Sequence, residues 1–170
     1  MTGRMTGRVL AALVFFVGAA HGQDAPVSWS LNSAAAERPL KPGGKFTAQL
    51  AAKIAPGWHL FSLSQPPGGP LATRVTLPED QAFKLAGAIH GPPFKALYNT
   101  VFKMNTEVYE EEARFEVPVE ARVDAAGPGG QKLLVAVRFQ ACSDTLCLLP
   151  KTVKLELEMK MAPPGKGRRR

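Results

Sequence analysis

Apolar and polar residues alternate with period two along four stretches of the chain. Phe46, Ala48, Leu50, Ala52 and Ile54 share one face, against Lys45, Thr47, Gln49 and Lys53 on the other. Phe115, Val117, Val119, Ala121 and Val123 oppose Arg114, Glu116, Glu120 and Arg122. Val153, Leu155, Leu157, Met159 and Met161 oppose Thr152, Lys154, Glu156, Glu158 and Lys160. In "KLLVAVRFQ", Leu133, Val135, Val137 and Phe139 fall together. Successive side chains of an extended strand point to opposite faces, so each stretch predicts a half-buried strand.

Shorter strand candidates are "VSWSL", "GWHLFS", "TRVTL" and "FKLAG", separated by "KPGG", "QPPGGP", "HGPP" and "GPGG". Pro and Gly end strands and set turns. No convincing amphipathic helix interrupts the series. Short alternating strands with such turns predict an all-β protein, an immunoglobulin-like antiparallel β-sandwich of about seven to nine strands in a single domain. Trp58 reads as a core residue and His59 as a satisfied surface or core histidine. "YNTVFKMNTEVY", Tyr98 to Tyr109, reads as a polar loop with Phe102 in its middle, and Glu110 to Glu112 as a solvated turn.

The chain's start changes the picture of where it works. Arg4 and Arg8 precede a 12-residue apolar run, Val9 to Ala20, and Ala20 and Gly22 set small residues around His21. This is the pattern of a secretory leader over residues 1–22, cleaved near Gly22 and Gln23. The run falls short of the roughly 20 apolar residues that span a bilayer. A periplasmic or secreted mature chain of 148 residues is expected, long enough for one real core. The domain is expected over 23–161, as a monomer with no transmembrane segment.

The formal charge of +7 falls to +5 without Arg4 and Arg8, and Lys166, Arg168, Arg169 and Arg170 carry four of those. The body is therefore near neutral, and residues 162–170 read as a disordered basic tail with a solvated end. Such a tail could touch an anionic membrane surface or nucleic acid, but the solvated end is the reading taken, and no nucleic-acid partner is expected. Signatures of nucleophilic hydrolases, nucleotide binding and paired carboxylates are absent, so no cofactor is expected.

Chemistry is left to "FQACSDTLCLLP", which holds both cysteines, Cys142 and Cys147, between two predicted strands. A bond between them closes a loop of six residues, worth roughly 2 kcal/mol in the chain-entropy model. That is small for a structural cross-link. The same closeness suits a redox pair, because the second thiol is placed to resolve a mixed disulfide made by the first. The spacing alone does not decide, since it lacks the C-x-x-C pattern at a helix start that lowers a thiol pKa. No Lys, Arg or His lies between the cysteines, and Asp144 held close disfavours a thiolate while offering a local proton acceptor. Redox pair and staple both remain open. A third reading, two thiols binding copper or zinc with His59 or His90, lacks ligand-like spacing, and no metal is expected.

"RFQACSDTLCLLPKTVKLEL" resembles the cysteine hairpin of the amino-terminal periplasmic domain of the thiol–disulfide interchange protein DsbD. "GWHLFSLSQPPGGPLATRVTL" is similar to that family's early Gly-aromatic strand and Pro/Gly turn, and "VFKMNTEVYEEEARFEVPV" to its passage from cap loop to next strand. The three matches come in family order. The resemblance implies an immunoglobulin-like fold with the cysteines at one end, relaying electrons from a membrane-embedded thiol reductant. The implied clients are disulfide isomerases and thioredoxin-like proteins, including those of cytochrome c maturation.

By position, the resemblance implies that Cys147 forms mixed disulfides, Cys142 resolves them, and Phe102 is the cap aromatic that shields the pair. His59 and Phe61 fall where the best-known members have tyrosines. Thr100 and Val101 stand where acidic residues precede the cap aromatic there, and the cysteine loop is one residue shorter. The family's membrane segment and thioredoxin-like domain have no counterpart here, which implies electrons supplied by a separate polypeptide. The rival class is a non-catalytic immunoglobulin-like binding module clipped by a structural Cys142–Cys147 bond.

Overall fold

The computed structural model describes residues 25–124 and 129–163. The expected leader, residues 1–22, and most of the expected basic tail lie outside the described residues. Among the described residues, eleven strands form three antiparallel sheets, and the only helical element is a 3-10 turn, Ala34–Glu37. No helix among these residues is long and apolar enough to cross a membrane. The first sheet orders β1 (Val27–Asn32), β2 (Lys45–Ile54), β8 (Glu112–Ala121) and β5 (Phe83–Leu85). The second joins β11 (Lys151–Met161), β9 (Gly129–Phe139) and β4 (Arg74–Thr76). The third joins β10 (Ala141–Ser143), β3 (Trp58–Phe61), β7 (Met104–Tyr109) and β6 (Lys95–Asn99).

The alternating faces account for the core. Leu50 and Ala52 of β2, Phe115, Val117 and Val119 of β8, Leu133, Val135 and Val137 of β9, and Met159 of β11 are all fully or almost fully buried in one cluster. Register holds these faces together: Leu50 pairs with Phe115, and Leu155 with Val135. A slip of one residue would send a whole apolar set into water. Trp29 of β1 closes the cluster, with its ring 5.9 Å from Phe115 and 5.3 Å from Phe139. This is the expected all-β, immunoglobulin-like domain.

Four details depart from the sequence reading. Strands number eleven among the described residues because β6 and β7 occupy a stretch read as loop and β10 has three residues, too few for a period to register. Val123 does not share the buried face of Phe115, because β8 ends at Ala121 and Val123 is 80% exposed in the turn beyond it. Tyr98 to Tyr109 is a hairpin of β6 and β7, not a loop; only residues 100–103 turn. Glu112 opens β8, so the turn covers Glu110 and Glu111, the latter at φ 62°.

Candidate functional site

The third sheet has two faces with different destinies. Leu60, Ala141 and Tyr109 are register partners and enter the main core. Their neighbours His59, Phe61, Val108 and Cys142 alternate to the other face, where His59 pairs with Cys142 and Phe61 with Val108. Phe61, Val108 and Cys142 form a second, small apolar cluster with Cys147 against it. The cysteines therefore have a core of their own.

A turn sets His59 in place. Trp58 N–H donates to the Ala55 carbonyl at 3.1 Å around Pro56 and Gly57, and Gly57 has φ +78°. Proline at the first central position and a left-handed residue at the second define a type II turn, which favours glycine there. The chain then runs directly into β3. Thr73 Oγ1 donates to the Phe61 carbonyl at 2.5 Å, and Ser62 N–H to the Glu107 carbonyl at 2.8 Å, tying the strand's far end. Ser62 and Ser64 hydroxyls both donate to the Glu107 carboxylate, a brace the sequence reading missed.

The cysteine segment is a tight hairpin. Ser143 N–H donates to the Leu146 carbonyl at 2.7 Å, and Leu148 N–H to the Ala141 carbonyl at 2.9 Å. Between these bonds Cys142 and Cys147 face each other directly, with Cα atoms 4.0 Å apart, and their sulfurs are joined. Opposed residues in a non-hydrogen-bonded position make the closest approach in an antiparallel pair. Ser143 Oγ accepts from Leu146 N–H at 3.1 Å and stiffens the turn. Gln140 anchors the hairpin base by donating to the Leu148 carbonyl and accepting from Leu71 N–H. Cys142 is fully buried, whereas Cys147 is only partly so.

Opposite stands the β6–β7 hairpin. Asn99 Oδ1 accepts from the N–H groups of Val101 and Phe102 at 3.0 and 3.1 Å, and Lys103 takes φ 53° to close the turn. Asparagine is suited to such a turn because its side chain mimics the missing backbone acceptor. Between the hairpins lies a cavity of about 340 Å³, lined among others by His59, Tyr98, Phe102, Asp144 and Cys147. Phe102 is half-buried there, and Val101 is 67% exposed.

The candidate residues thus gather, though not identically. Phe61 touches the cysteine cluster, His59, Phe102 and Asp144 share the cavity with Cys147, and Asp144 is itself exposed. His59 is not the satisfied histidine expected: it is 5% exposed, and its Nε2 is buried without a hydrogen-bond partner. Burial lowers its pKa, opposed by the negative charges of Asp144 and Glu110. Its ring meets Phe61 edge-on, centroids 5.3 Å apart. His90 pairs with Glu116 on the first sheet, away from the cysteines. Among the described residues, no three His, Cys, Asp or Glu side chains gather as a metal site.

Fold and hairpin together define a β-sandwich domain carrying a cross-strand disulfide under an opposing loop. The family model described as "Thiol:disulfide interchange protein DsbD, N-terminal" matches residues 30–159, and this chain belongs to that family. It is a thiol–disulfide interchange domain with a disulfide-forming cysteine pair. Among solved structures it is similar to the N-terminal periplasmic domain of ScsB from Proteus mirabilis, at 16% identity and TM-score 0.51, covering 83% of this chain and 49% of that one. This chain thus spans about half the ScsB structure. The Neisseria meningitidis DsbD n-terminal domain in the reduced form matches at 16% identity and TM-score 0.47, over 69% of this chain and 81% of that chain. A comparison with curated protein sequences finds no match.

Proposed function

We propose that this domain works outside the cytoplasm as an electron relay, passing reducing equivalents through the Cys142/Cys147 pair to oxidised thioredoxin-like or disulfide-isomerase partners. A membrane-embedded thiol reductant recharges it. In the working direction, the Cys147 thiolate attacks a partner disulfide, forms one mixed S–S bond and expels one partner thiolate. Cys142 then attacks the Cys147 sulfur, the mixed bond breaks, and the second partner sulfur leaves with the electron pair. The partner gains two electrons and two protons, and the domain is left oxidised.

The observation that carries this reading is the unequal burial of the two cysteines: fully buried Cys142 beside partly exposed Cys147. A partner must reach the sulfur it exchanges with, and a resolving thiol works from within. Exposed apolar residues lining the opening, Leu97, Tyr98, Val101 and Leu146, suit a docking protein. Family membership supports the exchange chemistry, and the periplasmic setting follows the leader-like start. The test is a glutathione titration. A relay pair equilibrates within the buffer's range, whereas a structural bond has a potential below about −300 mV and stays oxidised throughout.

Phe102 is assigned the shielding role, since it stands on the hairpin facing Cys147 across their shared cavity. Phe102→Ala is expected to speed alkylation of the reduced pair by iodoacetamide severalfold, with the β-sheet circular dichroism unchanged. An unaltered alkylation rate in a folded variant would remove Phe102 from the site.

A further inference from the structure

The geometry points to His59 as the proton acceptor for the buried Cys142 thiol when that thiol resolves a mixed disulfide. The inference rests on the exchange reading above and adds a group to it. Cys142 has no access to solvent. A thiol in apolar surroundings resists ionisation, yet only the thiolate is an effective nucleophile. Its proton therefore needs a local acceptor.

His59 is placed to supply one. It is the register partner of Cys142 across β3 and β10, so both side chains rise from the same face of the sheet. Its buried Nε2 has no hydrogen-bond partner. A buried polar atom left without one is uncommon and asks for an explanation. His59 also lies between two spaces. One is the cavity shared with Cys147 and Phe102, and the other is a crevice of about 470 Å³ lined by Glu110, Glu111 and Asp144.

The charged and titratable groups around His59 divide the work. Cys142 faces it from β10, Cys147 and Asp144 from the cysteine hairpin, Glu110 and Glu111 from the turn after β7, and Tyr98 from the opposing hairpin. Burial keeps the imidazole neutral at rest, and so able to accept a proton. The Asp144 and Glu110 charges favour the imidazolium once it forms. In the step itself, the Cys142 proton passes to His59 and the Cys142 sulfur bonds to the Cys147 sulfur. The bond from Cys147 to the partner breaks, and the partner sulfur leaves with the electron pair. The imidazolium then releases its proton to water along the acidic crevice.

The test uses the reduced protein and dithiobisnitrobenzoate, whose coloured thiolate is released twice. The first release reports attack by Cys147, and the second reports resolution by Cys142. In the wild type, the second phase is expected to fall as pH drops through the imidazole ionisation, which burial sets below the ordinary histidine range. It should stay level above that point, because the neutral imidazole is the active form. His59→Gln is expected to slow the second phase about a hundredfold at neutral pH, within the usual range for a lost general base. Its rate should instead climb in proportion to hydroxide, while the first phase is unchanged. His59→Phe serves as a second variant, filling the apolar site without a base.

A wild-type second phase proportional to hydroxide from about pH 5 to about pH 8, with no plateau, overturns the role of His59 without any variant. So does a folded variant that keeps the wild-type rate and profile. Absence of any second release, at any pH, would instead defeat the exchange reading itself.

Discussion

Cys142→Ser is expected to accumulate a covalent adduct with an oxidised thioredoxin-like protein, and Cys147→Ser is expected to form none. The reason is stepwise exchange: once Cys147 has bonded to the partner, only the neighbouring thiol can release it intramolecularly. With serine at 142 the mixed disulfide persists until an external thiol arrives. The contrast should be close to all-or-none on a non-reducing gel. Exposure argues for this order, because the sulfur of Cys142 lies in the small cluster with Phe61 and Val108 while Cys147 borders the cavity. Both variants should remain folded, since closing the six-residue loop contributes only roughly 2 kcal/mol. Adducts from Cys147→Ser alone would reverse the roles. If no adduct forms and either substitution unfolds the domain, the pair is a staple.

The largest effect on stability should come from the sandwich core. Phe115 of β8 is fully buried, with ring contacts to Trp29 at 5.9 Å and Tyr109 at 5.6 Å. Phe115→Ala is expected to cost about 3–5 kcal/mol, combining lost burial with the cavity left behind. For a domain of this size that lowers Tm by roughly 10–15 °C. Val123→Ala, from the same sequence alternation, should stay within about 0.5 kcal/mol because the side chain is 80% exposed. Urea unfolding of the two variants measures both. A loss below about 1 kcal/mol for Phe115→Ala would be incompatible with its central position.

These expectations differ in how far the chain alone supports them. The period-two runs of β2, β8, β9 and β11 were legible because each is ten or eleven residues long and half-buried. A long alternating strand repeats its period-two signal over many residues, which a three-residue strand has no room to do. The all-β fold followed, and so did the closeness of the two cysteines, which is local in sequence. Motif order along the chain carried the family.

Position by itself could not say where strands stop or which strands meet. Val123 continues an alternation that the backbone abandons at Ala121. Thr106, Val108 and Tyr109 look like loop residues beside Asn105 and Glu107, yet they are buried because β7 lies between β3 and β6. The site depended on the same kind of non-local choice. His59 and Cys142 are far apart in the chain, and their adjacency exists only through the register of β3 with β10. Sequence determined the local matters: the strand pattern, the turn at Pro56-Gly57, and a disulfide loop too small to matter much for stability. Tertiary structure decided which sulfur is buried, which histidine stands beside it, and which hairpin faces it, because burial and register are properties of segments meeting across the fold.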